Sequence, residues 1–352
     1  MVGIKEDASL ILRRIADPRE IGEKFSSIPF IPNHDIAATS GKQCRKEGAS
    51  GEFMKQQVVG AVCLVLAAGI WGSMYVVSKY VLDYVPPVTL VWARFVVAFA
   101  ILFVMLKIHE ARSGHRSVNT RRDWGLLAWI GFIGYFVSMV LQFIGTKWTD
   151  AHTGSLVTSV TPAFVVVFAW FILKESLTVR KIVSLLLATL GVVIVIGWDA
   201  SADTRTSGII MLVGAALTWA LMSVYVKVAS VRVSSLAITT YAMLFALLFT
   251  TPAMLWELQT HEVHYQDVSI MTGILYLGVV STAGAFFLWN KGLELMDAGI
   301  GSLFLFFQPV VGALLGWLLL KERLDLNFLI GGLLIVIGVA VATIQRQTAA
   351  RK

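Results

Sequence analysis

Charge is scarce in this sequence, and acidic charge within its apolar stretches is scarcer still. Charged residues make up 14% of 352 positions while hydrophobic ones make up 57%, and mean hydropathy is +0.76. No ordinary soluble core of this length needs so much apolar surface, whereas a polytopic membrane protein does. Only two cysteines occur, Cys44 in a polar tail and Cys63 in an apolar run, which excludes a disulfide framework. There are six histidines and no CxxC, HExxH or histidine-box spacing. His261 and His264, with Glu262 and Asp267 nearby, come closest to ligand spacing, and a solvated acidic loop accounts for them better than a metal does. No metal, cofactor or enzymatic chemistry is therefore expected. No Asp or Glu lies deep in an apolar run. That argues against coupling through a membrane-embedded carboxylate and favours a facilitative or weakly coupled pathway, with exchange at an edge residue such as Glu294 or Asp297 as the lesser option.

What the chain does contain is ten apolar segments of membrane length, near 58–83, 87–107, 124–144, 151–173, 181–198, 207–228, 234–256, 269–290, 298–320 and 326–345. A helix needs about 20 residues to cross the hydrocarbon. Barrel strands would be shorter and would alternate, so the fold class is all-α integral membrane. The second half repeats the first. Shifting 145–192 by 147 positions aligns it with 292–339 without a gap, pairing Gly154/Gly301, Ser155/Ser302, Pro162/Pro309, Trp170/Trp317, Lys174/Lys321, Glu175/Glu322 and Gly191/Gly338. Upstream, a shift of 148 pairs Trp71/Trp219, Met74/Met222, Val76/Val224 and Lys79/Lys227. With five segments per copy, an odd number, the second copy enters the bilayer from the opposite side. Ten helices as two inverted five-helix repeats are the expectation, the arrangement of carriers with a site between two halves. The domain boundaries follow: a polar tail at 1–53, a first repeat at 54–200, and a second repeat with a short C-terminal tail at 201–352. The tail carries no signal-peptide pattern and reads as flexible. Translation beginning at Met54 is a competing reading, with Gly51-Glu52 encoded by a ribosome-binding site.

The net charge of +7 does not mark a nucleic-acid surface. Residues 1–53 hold 8 basic and 8 acidic groups, so the excess belongs to the membrane part. With the N-terminus cytoplasmic, the cytoplasmic loops and ends from Arg45 onward hold 17 Lys/Arg and the opposite face holds Lys147, Arg205, Lys321 and Arg323. The orientation rule then puts both termini in the cytoplasm. A multi-pass protein of the plasma or inner membrane is expected, a monomer or homodimer whose partners are lipid and a small-molecule substrate, with no nucleic acid.

Pro162 and Pro309 fall near the middle of segments four and nine. Each removes an N–H and frees the carbonyl four residues earlier, at Thr158 and Leu305. Freed backbone polarity within lipid is tolerated against protein or a wet cavity, and a kink satisfied by Ser/Thr hydroxyls of the same helix is the bland alternative. Arg94 is the one basic residue well inside a segment, at an insertion cost of about 2.5–3.5 kcal/mol; a gate, a carboxylate contact and a snorkelling anchor are its candidate roles. Trp71, Tyr75, Thr158, Thr161, Trp219, Asn290 and Gln308 are the candidate substrate-lining residues, with Tyr135, Gln142, Phe286 and Trp289 supplying further aromatic and hydrogen-bonding surface.

Together these residues resemble the drug/metabolite transporter superfamily, specifically the EamA-type ten-span carriers. Trp71-Gly72-Ser73 with Lys79, Arg94-Phe95, Pro162, Leu173-Lys174-Glu175, Gly191, Pro309, Leu320-Lys321-Glu322 and Gly338 carry the likeness, over about 58–345. Arg94 has no repeat mate, because the second copy has Tyr241-Ala242-Met243 there. The resemblance implies an inner-membrane protein that exports amino acids or other small metabolites. The four-span multidrug members use a glutamate in their first helix, and this chain has none there. The function expected is transport of a small polar or amphipathic metabolite by alternating access. A membrane-anchoring or regulatory subunit is the alternative, and a membrane-embedded enzyme ranks below it.

Overall fold

A chain this apolar satisfies its backbone in lipid only by closing its N–H and C=O groups within helices. In the computed structural model, which describes residues 42–114, 117–118, 120–149, 151–196, 203–260, 267–320 and scattered positions between 330 and 341, no described residue is in a strand. The helices are α1 (Lys42–Leu82), α2 (Pro87–Ser113), α3 (Arg121–Trp148), α4 (Ala151–Thr158), α5 (Thr161–Leu173) and α6 (Val179–Ile196). They continue as α7 (Asp203–Ala229), α8 (Ser235–Glu257), α9 (Val268–Leu295), α10 (Ala298–Ser302) and α11 (Phe307–Leu320). Six stretches among the described residues are long and apolar enough to cross a membrane: Met54–Leu82 in α1, α2, α3, Ser207–Ala229 in α7, α8 and α9. At ~1.5 Å per residue they reach roughly 35–43 Å, more than the ~30 Å hydrocarbon layer.

Residues 55–352 form one compact unit, and the unit before them is described only from Lys42. Helix α1 begins at Lys42 rather than near residue 58. Lys42 to Glu47 is rich in straight-chain helix formers and free of proline, so part of the expected flexible tail is helical. The tenth apolar segment is described only at scattered positions, and the turn carrying Lys321 and Glu322 lies outside the described residues.

Polarity is distributed inside out. Arg94, Ser138, Thr239, Thr240, Ser281, Thr282 and Asn290 are fully buried, while Val104, Phe171, Leu186, Leu248 and Trp256 are exposed. Water would reverse that pattern, and lipid around the bundle accounts for it.

The repeat-related segments share local irregularities. Helix α3 contains a π-helical stretch at Gly131–Ser138 and α9 contains one at Leu277–Gly284. Segment four is interrupted at Ser159–Val160, between α4 and α5. Segment nine is interrupted by a 3-10 turn at Leu303–Phe306. Both interruptions precede their proline by two or three residues. The proline then sits in the first turn of the following helix, where its missing N–H has no intrahelical partner to lose.

Two lysines reinforce the correspondence. Lys79 Nζ donates to the carbonyls of Thr146, Lys147 and Thr149, at 3.4, 3.3 and 2.7 Å, at the end of α3. Lys227 Nζ donates to those of Leu293, Glu294 and Met296, at 2.8, 3.2 and 2.6 Å, at the end of α9. A cation among the last unpaired carbonyls of a helix satisfies them and suits the helix dipole. The same device, at the same place, occurs in both copies.

Helices α1 and α11 meet at Gly72. A Cβ added there would lie 2.7 Å from the Gln308 carbonyl oxygen and 2.9 Å from Val311 Cβ. Gly72→Leu is expected to separate these helices and destabilise the protein by about 1–3 kcal/mol or more, read as a lower melting temperature of the purified protein in detergent.

Candidate functional site

The interruptions of segments four and nine border a small cavity of about 30 Å³, lined by Trp71, Met74, Tyr75, Met139, Gln142, Thr158, Thr161, Ala215, Ala216, Trp219, Phe286, Leu305 and Gln308. The lining comes from α1, α3, α4, α5, α7 and α9 and from the segment at Leu305–Gln308, so both copies contribute. None of these side chains is charged. Six residues singled out from the sequence, Trp71, Tyr75, Thr158, Thr161, Trp219 and Gln308, are in this lining, and so are Gln142 and Phe286.

One wall is a hydrogen-bond relay. Gln142 Nε2 donates to the Tyr75 hydroxyl at 2.9 Å. That hydroxyl is 2.7 Å from Thr158 Oγ1, which donates onward to the Gly154 carbonyl at 2.8 Å. Thr161 Oγ1 donates to the Thr158 carbonyl at 2.5 Å, so the carbonyl freed by Pro162 is met within its own segment. The proline break here shapes the wall and leaves no open backbone acceptor at Thr158. Gln308 and the Trp219 indole N–H, by contrast, form no hydrogen bond with any described residue although both line the cavity. Their polar groups are free to meet a solute.

Another part of the lining is aromatic. Trp71 and Trp219, equivalent positions of the two copies, meet edge to face with ring centroids 5.2 Å apart. Phe286 packs edge-on to both, at 5.7 and 5.3 Å. Such pairs add about 0.5–1.5 kcal/mol each beyond the area they bury. Trp71 is also fixed by its indole N–H, which donates to the Ser281 carbonyl at 3.0 Å. Ser281 lies in the π-helical stretch of α9, where the backbone departs from the regular α ladder.

Two sequence candidates are not in the lining. Asn290 is fully buried and donates from Nδ2 to the Tyr135 hydroxyl and to Thr239 Oγ1, both at 2.8 Å. It ties α3, α8 and α9 together. Arg94 is also fully buried; its Nε donates to Thr282 Oγ1 at 2.6 Å and its Nη2 to Ser281 Oγ at 3.2 Å. Tyr135 and Trp289 belong to the packed layer behind the lining. Ser281 and Thr282 were not singled out from the sequence; two adjacent hydroxyls within an apolar run were the available signal.

At one end of the bundle a charged cluster joins the two copies. Glu175, in the turn after α5, accepts from the backbone N–H groups of Ala298 and Gly299 at 3.0 and 3.2 Å. Lys181 Nζ bridges Glu175 Oε2 at 3.0 Å and Asp297 Oδ1 at 2.9 Å. Burial raises the Glu175 carboxyl above its ordinary range, and the neighbouring Asp297 raises it further against the opposing pull of Lys181. The Asp297 side chain is 37% exposed; its partial burial would raise it, but Glu175, Lys181 and the Ile300 N–H together hold it below the ordinary range. Among the described residues no group of three His, Cys, Asp or Glu side chains is placed to hold a metal; His261 and His264 lie outside them.

The EamA-like transporter family pattern matches residues 58–197 and again 206–344. The chain belongs to the EamA-like transporter family. It is similar to the protein named uncharacterized transporter YetK of Bacillus subtilis (strain 168), 28% identical over 303 residues that cover 85% of this chain and 91% of that one. It is likewise similar to an uncharacterized transporter of Archaeoglobus fulgidus, 25% identical and covering 81% of this chain and 99% of that one. A protein of known crystal structure shares the fold, with a TM-score of 0.67 at 21% identity, covering 81% and 96% of the two chains. This EamA-like chain is thus a multi-pass membrane protein of a transporter family, built from two copies of the family unit.

Proposed function

We propose that this protein exports a small polar or amphipathic metabolite, an amino acid or a compound of that kind, across the plasma or inner membrane. Transport proceeds by alternating access as two inverted five-helix repeats, 54–200 and 201–352, rock about the cavity, with both termini in the cytoplasm. The observation that carries this reading is the cavity's position. It lies where equivalent segments of both copies are interrupted, and equivalent tryptophans from both copies meet at its wall. Inverted-repeat carriers bind solute at such paired helix breaks. The paired lysine caps of α3 and α9 support the same duplication.

Substrate contact is assigned to Trp71, Tyr75, Thr158, Thr161, Trp219 and Gln308, with Pro162 and Pro309 setting the breaks. In liposomes containing the purified protein, labelled amino acids and related metabolites should cross faster than in protein-free vesicles. Gln308→Ala should reduce that flux about tenfold through the loss of one to two hydrogen bonds. Trp170→Phe, on an exposed face, should leave it unchanged. Equal flux in both variants at equal expression would remove the cavity assignment. No flux of any solute, with a soluble protein co-purifying, would replace transport by anchoring.

A further inference from the structure

A guanidinium buried in a membrane bundle normally has a carboxylate beside it or snorkels to the interface. Arg94 does neither. It is fully buried and, among the described residues, forms no ion pair. Its acceptors are two hydroxyls and a thioether, with the Phe143 ring 4.8 Å from its central carbon.

The distribution of those contacts is informative. Thr282 and Ser281, both from the π-helical stretch of α9, hold the Nε and Nη2 atoms along one edge. The terminal pair Nη1 and Nη2, the fork that binds a carboxylate through two parallel hydrogen bonds, points instead at one atom. Both nitrogens lie 3.5 Å from Met74 Sδ. Sulfur is a weak acceptor, so the strongest donor set in this part of the bundle is matched with the poorest partner. Met74 also lines the cavity, whose lining carries no charge. Methionine has three rotatable bonds and readjusts readily. One side-chain rotation therefore separates the cavity from a cation that has no carboxylate partner among the described residues and is held in orientation from behind.

We infer that Arg94 is a concealed anion site, closed by Met74, and that the transported solute carries a carboxylate or similar monoanionic group which displaces the Met74 sulfur and takes the Nη1–Nη2 fork. The inference rests on the transport reading and narrows its substrate class. Solutes whose only charge is positive are disfavoured, and zwitterions are oriented with the acid toward α2. Ser281 and Thr282 act as positioning residues, keeping the fork aimed while Met74 moves.

The test needs no knowledge of the natural solute. In full-length protein with Cys44→Ser and Cys63→Ser, Met74→Cys places a thiol at the plug. A sulfonate-bearing methanethiosulfonate and its trimethylammonium counterpart are then compared, each rate normalised to its reaction with free cysteine. The sulfonate reagent should react at least about tenfold faster, equivalent to one charge-assisted contact. Arg94→Lys should retain the preference and Arg94→Gln should abolish it. With Arg94 intact, phenylacetate should slow labelling while phenylacetamide should not. Equal normalised rates, a preference for the cation, no labelling by either reagent, or equal protection by acid and amide would each overturn the inference. A charge preference without measurable solute flux in liposomes would instead count against transport and leave the anion site standing.

Discussion

Replacing Lys227 by methionine is expected to destabilise the folded protein by about 3–5 kcal/mol, because three carbonyls at the end of α9 lose a charged donor together. The amino group contacts the oxygens of Leu293, Glu294 and Met296 at 2.6–3.2 Å. A hydrogen bond to a charged group contributes about 1.5–3 kcal/mol, and a buried acceptor left unpaired costs about 1–3 kcal/mol. Methionine preserves the apolar stem and leaves the carbonyls without a donor. Unfolding in mixed micelles measures the change. A loss below 1 kcal/mol in that measurement would mean water replaces the ammonium without penalty. Lys79→Met, at the equivalent place in the first copy, should behave likewise but less severely, since two of its three contacts are longer, at 3.3–3.4 Å.

The second large effect is expected at the cluster that joins the copies. Lys181→Met removes the cation shared by Glu175 and Asp297. Breaking a buried ion pair from one side costs about 3–5 kcal/mol; because the Asp297 side chain is 37% exposed, water screens part of that loss and the lower end of the range is expected, with two carboxyls left facing each other. The turn after α5 should then detach from the start of α10. Ala298→Cys, buried in the wild-type arrangement, should label with an impermeant thiol reagent at least about tenfold faster in the Lys181→Met background, the equivalent of ~1.4 kcal/mol of opening. Unchanged labelling would show that Glu175 and the α10 backbone hold the contact by themselves.

The same contact should respond to pH at both ends. Glu175 is raised in the joined arrangement, so its contribution is complete below the ordinary glutamate range and fades as pH rises through its raised value. Asp297 is lowered, so its contribution is complete above the ordinary aspartate range and is lost as pH falls through its lowered value. Lys181 contacts both carboxyls, and Lys227 feels the charge of both. Labelling of Ala298→Cys should therefore be slowest between the two values, after correction for thiol ionisation. A monotonic dependence would rule out opposite shifts of the two carboxyls.

Much of the cavity is legible in the sequence, for identifiable reasons. Trp71 and Trp219 are conspicuous because the repeat marks them as equivalent. Thr158, Thr161 and Gln308 are conspicuous because they adjoin a proline in the middle of an apolar run. Depth in the membrane and proximity to a helix break can both be counted along the chain. The direction in which a side chain points cannot be counted where the helix changes pitch. Asn290 and Trp289 follow the π-helical stretch of α9, which shifts the angular phase of the residues beyond it; Asn290 thereby turns toward Tyr135 and Thr239 and away from the cavity. Arg94 was recognisable as costly, but its partners lie 187 and 188 positions away in sequence.

Composition, the 147-residue repeat and the charge asymmetry were by themselves sufficient to establish a duplicated, all-helical membrane protein and to mark the two prolines where it would break. These are one-dimensional properties, set by segment length and the free energy of placing residues in lipid, and they need no knowledge of neighbours. Only the tertiary structure decided which polar groups would remain unpaired. It gave Thr158 to Tyr75, left the Gln308 amide without a partner among the described residues, joined Glu175 to the start of α10 and set a methionine sulfur before the Arg94 fork. Hydrogen bonding is short-ranged and directional, so whether a buried group is satisfied depends on which distant atom arrives within about 3 Å of it.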